Sequence, residues 1–377
     1  MALQFTRNAK VYVELSSDVW QVPVLDGFSF TQSVNSSEVT VNEAGSTSRR
    51  ARLLFNDNLA PVEWSFSTYV RPFRTAGDGS GGNWDGNAND VHAVEEVLWA
   101  MLMGADTFTS STAVWTGNST TINTQSVLSP TDYQNSLSFA ASNQSKFSDD
   151  FNLYFSFEET GNTQVYRITQ AVVNSATIDF DIDGIATIQW SGFGKQVVDR
   201  TTNIPTRTIY EDITDTSNFI RNRISTVSLT RTDVSPDDTF DLVLTGGSFS
   251  VENNISYLTP EELGVVNIPL ANVTGARAIS GNLTCYLDND TGNSKSGELF
   301  ADMVADTSTV RNVYDMAINV GGTTVSTPRL TLDIPTAHLE VPVIGVEDLL
   351  TLDVAFHGQP SNGDVDNTDE MTVIYRA

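Results

Sequence analysis

Residues 176–190, ATIDFDIDGIATIQW, decide how this chain is read. Ala176, Ile178, Phe180 and Ile182 alternate with Thr177, Asp179 and Asp181, a period of two that suits a half-buried strand and not a helix. Gly184 interrupts the run, and Ile185, Thr187, Ile188 and Trp190 start a second strand. Residues 337–358 repeat the order. Ala337, Leu339, Val341, Val343 and Gly345 follow Ala176, Ile178, Phe180, Ile182 and Gly184 at a constant offset of 161 residues, from 176 to 337. After a small insertion Leu349, Thr351, Leu352, Val354 and Gly358 answer Ile185, Thr187, Ile188, Trp190 and Gly194.

The match extends outward from this pair of strands. Phe28, Phe30 and Val34 answer to Phe249, Val251 and Ile255, and Phe66–Val70 to Leu283–Leu287. A Gly/Asp/Asn loop and a helix follow in each half, Leu98, Trp99, Ala100 and Leu102 against Leu299, Phe300, Ala301 and Met303. Alternating strands resemble one another by chance, but chance does not set strand, loop, helix, strand and strand in one order twice. The helices expected are Val91–Met103, entered through Asp90 as N-cap, and Glu298–Ala305, entered through Ser296 and Gly297. Elsewhere the alternation predicts strands, among them Val11–Leu15, Asn152–Phe157, Val227–Leu229, Phe240–Leu244 and Met316–Val320.

The expected fold is mainly β: two tandem copies of a β-sandwich or barrel domain, each with one flanking α-helix. The first copy spans residues 1–196, the second 223–377, and 197–222 form a linker. The first copy carries the larger insertions: Asn42–Arg52 with the basic trio Arg49, Arg50 and Arg52, Gly-rich Thr75–Asn89, and Thr107–Asp149. Loops of that length in a compact domain are functional or held by a neighbour.

Composition narrows the class. The 377 residues are 40% hydrophobic, which suits a folded protein, and no apolar run is long enough to span a bilayer. The first residues lack the apolar core of a secretory leader, so none is expected and the N-x-Ser/Thr triplets are read as incidental. Cys285 is the lone cysteine, which excludes an intrachain disulfide and a cysteine metal cluster. The net charge of −27 opposes nucleic-acid binding, which rests on neutralising phosphates, and fits either a solubilising surface or one that faces DNA without holding it.

Catalytic and metal motifs are largely missing. His92, His338 and His357 form no H-E-x-x-H pair, and no nucleophile elbow or phosphate-gripping loop occurs. Asp85, Asn87, Asn89 and Glu96 have the spacing of a calcium loop, but Asp90 stands where that loop needs glycine. An ordinary polar loop is the simpler reading. The many carboxylates alternate with apolar residues in strands, as outward faces do. The chain is therefore expected to be no enzyme, with no catalytic residue, cofactor or metal.

The order of elements resembles the tail tube proteins of long-tailed bacteriophages, of a duplicated-domain, siphophage-like type. The features that carry it are a sandwich with one helix, a long early loop, the tract 339–348, the strand Leu349–Phe356 and the closing residues 371–377. The resemblance implies a virion structural protein, made in the host cytoplasm, whose rings stack into a tube together with other tail proteins. It implies sheets that join around a channel through which double-stranded DNA passes without tight binding, and no membrane partner. With two copies per chain, trimeric rings would have pseudo-sixfold symmetry; hexameric rings are the alternative. Arg49, Arg50 and Arg52 are candidate inter-subunit contacts, and Asp179, Asp181 and Asp183 candidate lumen-facing residues. The competing reading is a tandem β-sandwich binding or adhesion module for carbohydrate or a cell surface, in which Trp84, Trp99, Trp115 or Trp190 stack on sugars.

Overall fold

The computed structural model describes residues 6–40, 45–46, 52–75, 90–129, 132–140, 145–146, 148–159, 162–200, 205–209, 218–232, 238–289, 295–305, 313–321, 328–346, 348–361 and 367–377. The first half contains β1 (Ala9–Leu15), β2 (Asp18–Val22), β3 (Ser29–Thr31), β4 (Val34–Val39), β5 (Leu53–Leu59), β6 (Val62–Tyr69), β7 (Pro72–Arg74) and β8 (Val91–Ala93). Then come α1 (Glu96–Leu102), β9 (Thr107–Thr109), β10 (Val114–Gly117), β11 (Thr120–Thr121), β12 (Asn123–Ser129) and β13 (Asp132–Ser138). The half closes with β14 (Phe151–Glu159), β15 (Asn162–Asp181), β16 (Thr187–Gly194) and β17 (Gln196–Asp199). The second half contains β18 (Thr226–Arg231), β19 (Asp238–Asp241), β20 (Leu244–Glu252), β21 (Ser256–Leu258), β22 (Ala271–Val273) and β23 (Ala278–Tyr286). It ends with α2 (Ser296–Ala305), β24 (Tyr314–Val320), β25 (Arg329–Leu339), β26 (Val343–Val346), β27 (Leu350–Gly358) and β28 (Thr372–Arg376). The fold is mainly β, as expected.

Two layers organise the strands of the first half. One is β2–β1–β14–β15–β17; the other is β3–β6–β16–β15. The long strand β15 serves both, crossing between them at a bulge between Val173 and Ser175, which re-aims the strand as bulges do. In the second half β19–β18–β24–β25–β28 form one layer and β20–β23–β27–β26 the other. The C-terminal part of β15 also pairs with β20. A single sheet eight strands wide therefore runs β3–β6–β16–β15–β20–β23–β27–β26.

Pairing registers recur between the halves. Phe66 stands opposite Trp190 and Thr68 opposite Ile188, as Leu283 stands opposite Val354 and Cys285 opposite Leu352. Val13 faces Trp20 as Leu229 faces Phe240. Phe151 faces Ala171 and Tyr314 faces Ala337, each beside a register shift. These ladders put Ala171, and not Ala176, in the position of Ala337.

The eight-stranded sheet turns its apolar face inward. Trp64, Phe66, Ile188, Trp190, Ile178, Phe249, Leu283, Val354 and Phe356 are buried there. Trp99 of α1 meets Trp190 edge to face, with ring centroids 5.0 Å apart, a favoured aromatic geometry. Phe155 on the opposite layer packs on Phe28, Phe30 and Phe66.

Three expectations about local structure change. Val91–Ala93 forms β8, paired with β7, so α1 starts only at Glu96 and its N-cap is Glu95, with no side-chain capping bond. The apolar run was consistent with either element, and pairing with Pro72–Arg74 decided it. The insertion Thr107–Asp149 is not structureless: it holds the small sheet β9–β10–β11 and the hairpin β12–β13, which pairs with β28. The segment expected as linker begins within β17, which pairs with β15. Of the remainder, residues 201–204 and 210–217 lie outside the described residues. The α2 helix ends at Ala305 as expected but begins at Ser296, two residues before the expected Glu298, so Ser296 and Gly297 are its first residues and not its entry.

Candidate functional surface

The other face of the eight-stranded sheet is polar from β3 to β27, while the edge strand β26 presents Val343 and Gly345 there. Because side chains alternate along a strand, each buried aromatic position leaves its neighbour on this face. Ser29 lies opposite Ser65, Ser65 opposite Ser191, and Ser191 opposite Ser175. Thr177 lies opposite Ser250 and Asp179 opposite Ser248. Ser280 and Asn282 continue the row on β23, and Asp353 on β27 lies opposite Thr284.

Hydrogen bonds tie the hydroxyls sideways. Ser29 Oγ and Ser65 Oγ are 2.9 Å apart, Ser175 Oγ and Ser191 Oγ 2.7 Å, and Thr177 Oγ1 and Ser250 Oγ 3.2 Å. Ser248 Oγ donates to Asn282 Oδ1 at 2.6 Å and Thr284 Oγ1 to Asp353 Oδ1 at 2.6 Å. Such cross-strand pairs fix side chains that would otherwise wave in solvent.

The charge on this face has one sign. Glu63, Asp179, Asp181, Glu252 and Asp353 are exposed on it, and the strand segments that build the sheet, β15 counted from Ser175, contain no lysine or arginine; Arg167 lies earlier on β15, where that strand belongs to the other layer. His357, on the same face, lies 3.0 Å from Glu340 Oε1 through Nε2. A duplex approaching such a surface finds hydroxyls, amides and carboxylates but no cation to neutralise a phosphate.

Of the residues singled out in the sequence, Asp179 and Asp181 lie on this face and Asp183 is exposed in the turn after β15. Arg52 is on the approach to β5, its Nε 3.2 Å from Glu38 Oε1 across the β4–β5 hairpin. Arg49 and Arg50 lie outside the described residues, as do Trp84, Asp85, Asn87 and Asn89. Glu96, the last member of the calcium-like spacing, is buried and occupied: it takes bonds from Trp115 Nε1 at 3.0 Å and from Ala93 N at 3.2 Å, and lies 2.9 Å from His92 Nδ1. Trp99, Trp115 and Trp190 are buried, which removes them as sugar-stacking platforms. His338 lies on β25 and His357 on β27, as the alternation placed them.

The serines and threonines of the polar face escaped notice because a hydroxyl carries no charge and alternates as any outward residue does. The signal was present in Ser65 and Ser67, Ser248 and Ser250, and Ser280 and Asn282, which share one side of their strands.

Comparison with known proteins bears on this surface. A family model described as "Phage tail tube protein" matches residues 56–358, which span most of the eight-stranded sheet. Tail tube protein pb6 of Escherichia phage T5 is 29% identical over 382 aligned positions, covering 98% of this chain and 75% of the relative.

Proposed function

The chain belongs to the phage tail tube protein family, and from that premise we propose that it forms trimeric rings, stacked around a channel lined by the polar face of its eight-stranded sheet. It is a structural subunit of the virion tail. The chain works as two tandem copies of one domain, residues 1–196 and 223–377, and the matching ladders of the two halves support that reading. Three chains then supply six similar units. The subunit acts by assembling with itself and with other tail proteins, without catalysis.

The observation that carries this reading is the width and polarity of the sheet. Eight strands from each of three chains make twenty-four. At about 4.8 Å per strand and a tilt of about 40°, they close into a wall about 48 Å across, backbone to backbone. That bore passes one DNA duplex with its hydration. Six chains would double it to about 96 Å, far wider than the cargo needs. Closure also removes the sheet's open edges, which in a free subunit invite aggregation. With no cation on the wall, Asp179, Asp181 and their neighbours repel phosphate and release no counterions, so DNA slides past. Asp183, in the adjoining turn, extends the acidic rim.

Arg49, Arg50 and Arg52 are proposed as contacts to a neighbouring subunit, since guanidinium forks suit carboxylate partners on so acidic a protein. The same hairpin shows Leu53, Leu54 and Phe55 to solvent, an apolar patch that fits burial on assembly.

Mass per unit length of assembled tubes, combined with their axial repeat, separates the two stoichiometries. Three chains of 41.0 kDa per repeat are expected; twice that mass would mean six chains and overturn the trimer.

A further inference from the structure

The chain carries its own template for the contact between neighbouring chains. Within one molecule the end of β15 pairs with β20, placing Thr177 opposite Ser250, Ile178 opposite Phe249 and Asp179 opposite Ser248. Here β15 is the last strand of β3–β6–β16–β15, and β20 the first strand of β20–β23–β27–β26.

The adjoining ladders identify the counterparts of these strands at the two outer edges. Ile178 lies opposite Ile188, and Ile344 opposite Leu352; Ile188 and Leu352 in turn face Thr68 and Cys285, which correspond. Ile344 therefore takes the place of Ile178. Phe30 lies opposite Trp64 and Phe249 opposite Gly281. Trp64 and Gly281 each precede a corresponding residue, Phe66 and Leu283, by two positions, so the ladders put Phe30, and not Phe28 as the sequence pattern suggested, in the place of Phe249.

We propose that β26 of one chain pairs antiparallel with β3 of a second copy, in the register of the internal seam: Val343 opposite Thr31, Ile344 opposite Phe30, Gly345 opposite Ser29, Val346 opposite Phe28. The proposal rests on the tube-subunit reading and names the edges that close the ring.

Burial supports it. Ile178 and Phe249 are both 0% exposed at the internal seam, whereas Ile344 is 40% and Val346 79% exposed. A strand with apolar side chains bare on its free edge is what a solitary domain avoids and what an assembling one needs. Phe28 and Phe30, which would receive Val346 and Ile344, are already held by Phe155, Phe157 and Tyr166. Among the described residues β3 pairs only with β6, and β26 only with β27. Pro342 has no N–H to donate, so it bounds the pairing segment and keeps it short.

Disulfide trapping in assembled tubes tests the register. The hydroxyls of Thr177 and Ser250 are 3.2 Å apart at the internal seam, so the double variant Thr31→Cys, Val343→Cys places two thiols within disulfide reach between chains. Native Cys285 is fully buried and does not compete. Mild oxidation is expected to link this variant into covalent trimers on a non-reducing gel. The variant Ser29→Cys, Val343→Cys, two residues out of register, should stay unlinked. Normal tubes in which the second pair links, or neither does, would overturn the seam and leave the tube reading standing. Failure of the unsubstituted chain to form rings or tubes would instead overturn that reading.

Ile344→Asp keeps the proposal exposed if the cysteine variants fail to assemble. Its side chain reaches solvent in the single chain, so unchanged thermal unfolding is expected, while the concentration needed for assembly rises at least about tenfold because a carboxylate would be buried. Assembly at the unsubstituted chain's concentration would overturn the seam.

Discussion

Glu95, just before α1, has no exposed surface. It accepts a hydrogen bond from Tyr375 Oη at 2.8 Å and from the backbone N–H of Arg71 at 3.2 Å, which ties the last strand to the helix. Burial raises its carboxyl to about 7, against the opposing pull of those bonds and of the Arg71 charge. The folded chain thus holds this proton up to about pH 7, while an unperturbed carboxyl loses it near 4.5. Between those values the unfolded chain binds fewer protons, so the Glu95 contribution to stability is full below about pH 4.5 and falls as pH rises through 7. Glu95→Gln removes the titration. The variant's melting temperature relative to the native chain should climb from pH 5 to pH 7.5, and parallel curves would contradict the assignment. Tyr375→Phe leaves a buried carboxyl short of a donor and should cost about 1–3 kcal/mol in denaturant unfolding. None of this was legible in the sequence. Glu95 and Glu96 occupy the expected helix as ordinary polar residues, and partners remote in sequence, Tyr375 and Arg71 for Glu95 and Trp115 for Glu96, accompany their burial.

At the level of strands, the two halves solve one packing problem with the partners exchanged. Trp64 faces Gly192 across β6 and β16, whereas Gly281 faces Phe356 across β23 and β27. In each pair the ring covers the glycine: a Cβ on Gly192 would collide with the Val172 carbonyl and the Trp64 ring, and one on Gly281 with the Ser248 carbonyl and the Phe356 ring. Gly192→Ala and Gly281→Ala should each destabilise by about 1–3 kcal/mol, because backbone cannot yield as a side-chain tip does. Thermal unfolding reads this directly, and a neutral effect at both sites would refute the packing argument. The existence of these strands was legible from alternation; their full alignment was not. Alternation carried Leu339, Val341 and Val343 forward as one inward row, giving the offset of 161. The pairing with β27 shifts by one residue between Leu339, opposite Phe356, and Val343, opposite Asp353. A one-residue shift swaps the faces, so the inward row after it is Ile344 and Val346, on the side occupied by Ile178 and Phe180. The matching shift between Val173 and Ser175 sets the same break in β15. Bulges leave no mark in hydrophobic pattern, which is why the paired strands were found and their register was not.

At the scale of the whole molecule, the net charge of −27 need not concentrate on one surface to matter. What distinguishes the eight-stranded sheet is the absence of lysine and arginine from the strand segments that form its polar face, while the other layer carries cations such as Arg167 and Lys10, the Nζ of Lys10 lying 2.6 Å from Glu158 Oε2. The acidic composition fitted either a solubilising surface or one that faces DNA without holding it, and the strand pairing identifies a face with hydroxyls and carboxylates and no lysine or arginine. The central claim is that three chains turn this face to a common channel. A cryo-electron microscopy reconstruction of assembled tubes, at a resolution that traces strands, tests it most directly. It should show threefold rings with eight strands per chain in one closed wall, and Asp179, Ser250 and Asp353 pointing into the bore. Six chains per ring, or a wall that turns those residues outward, would contradict it.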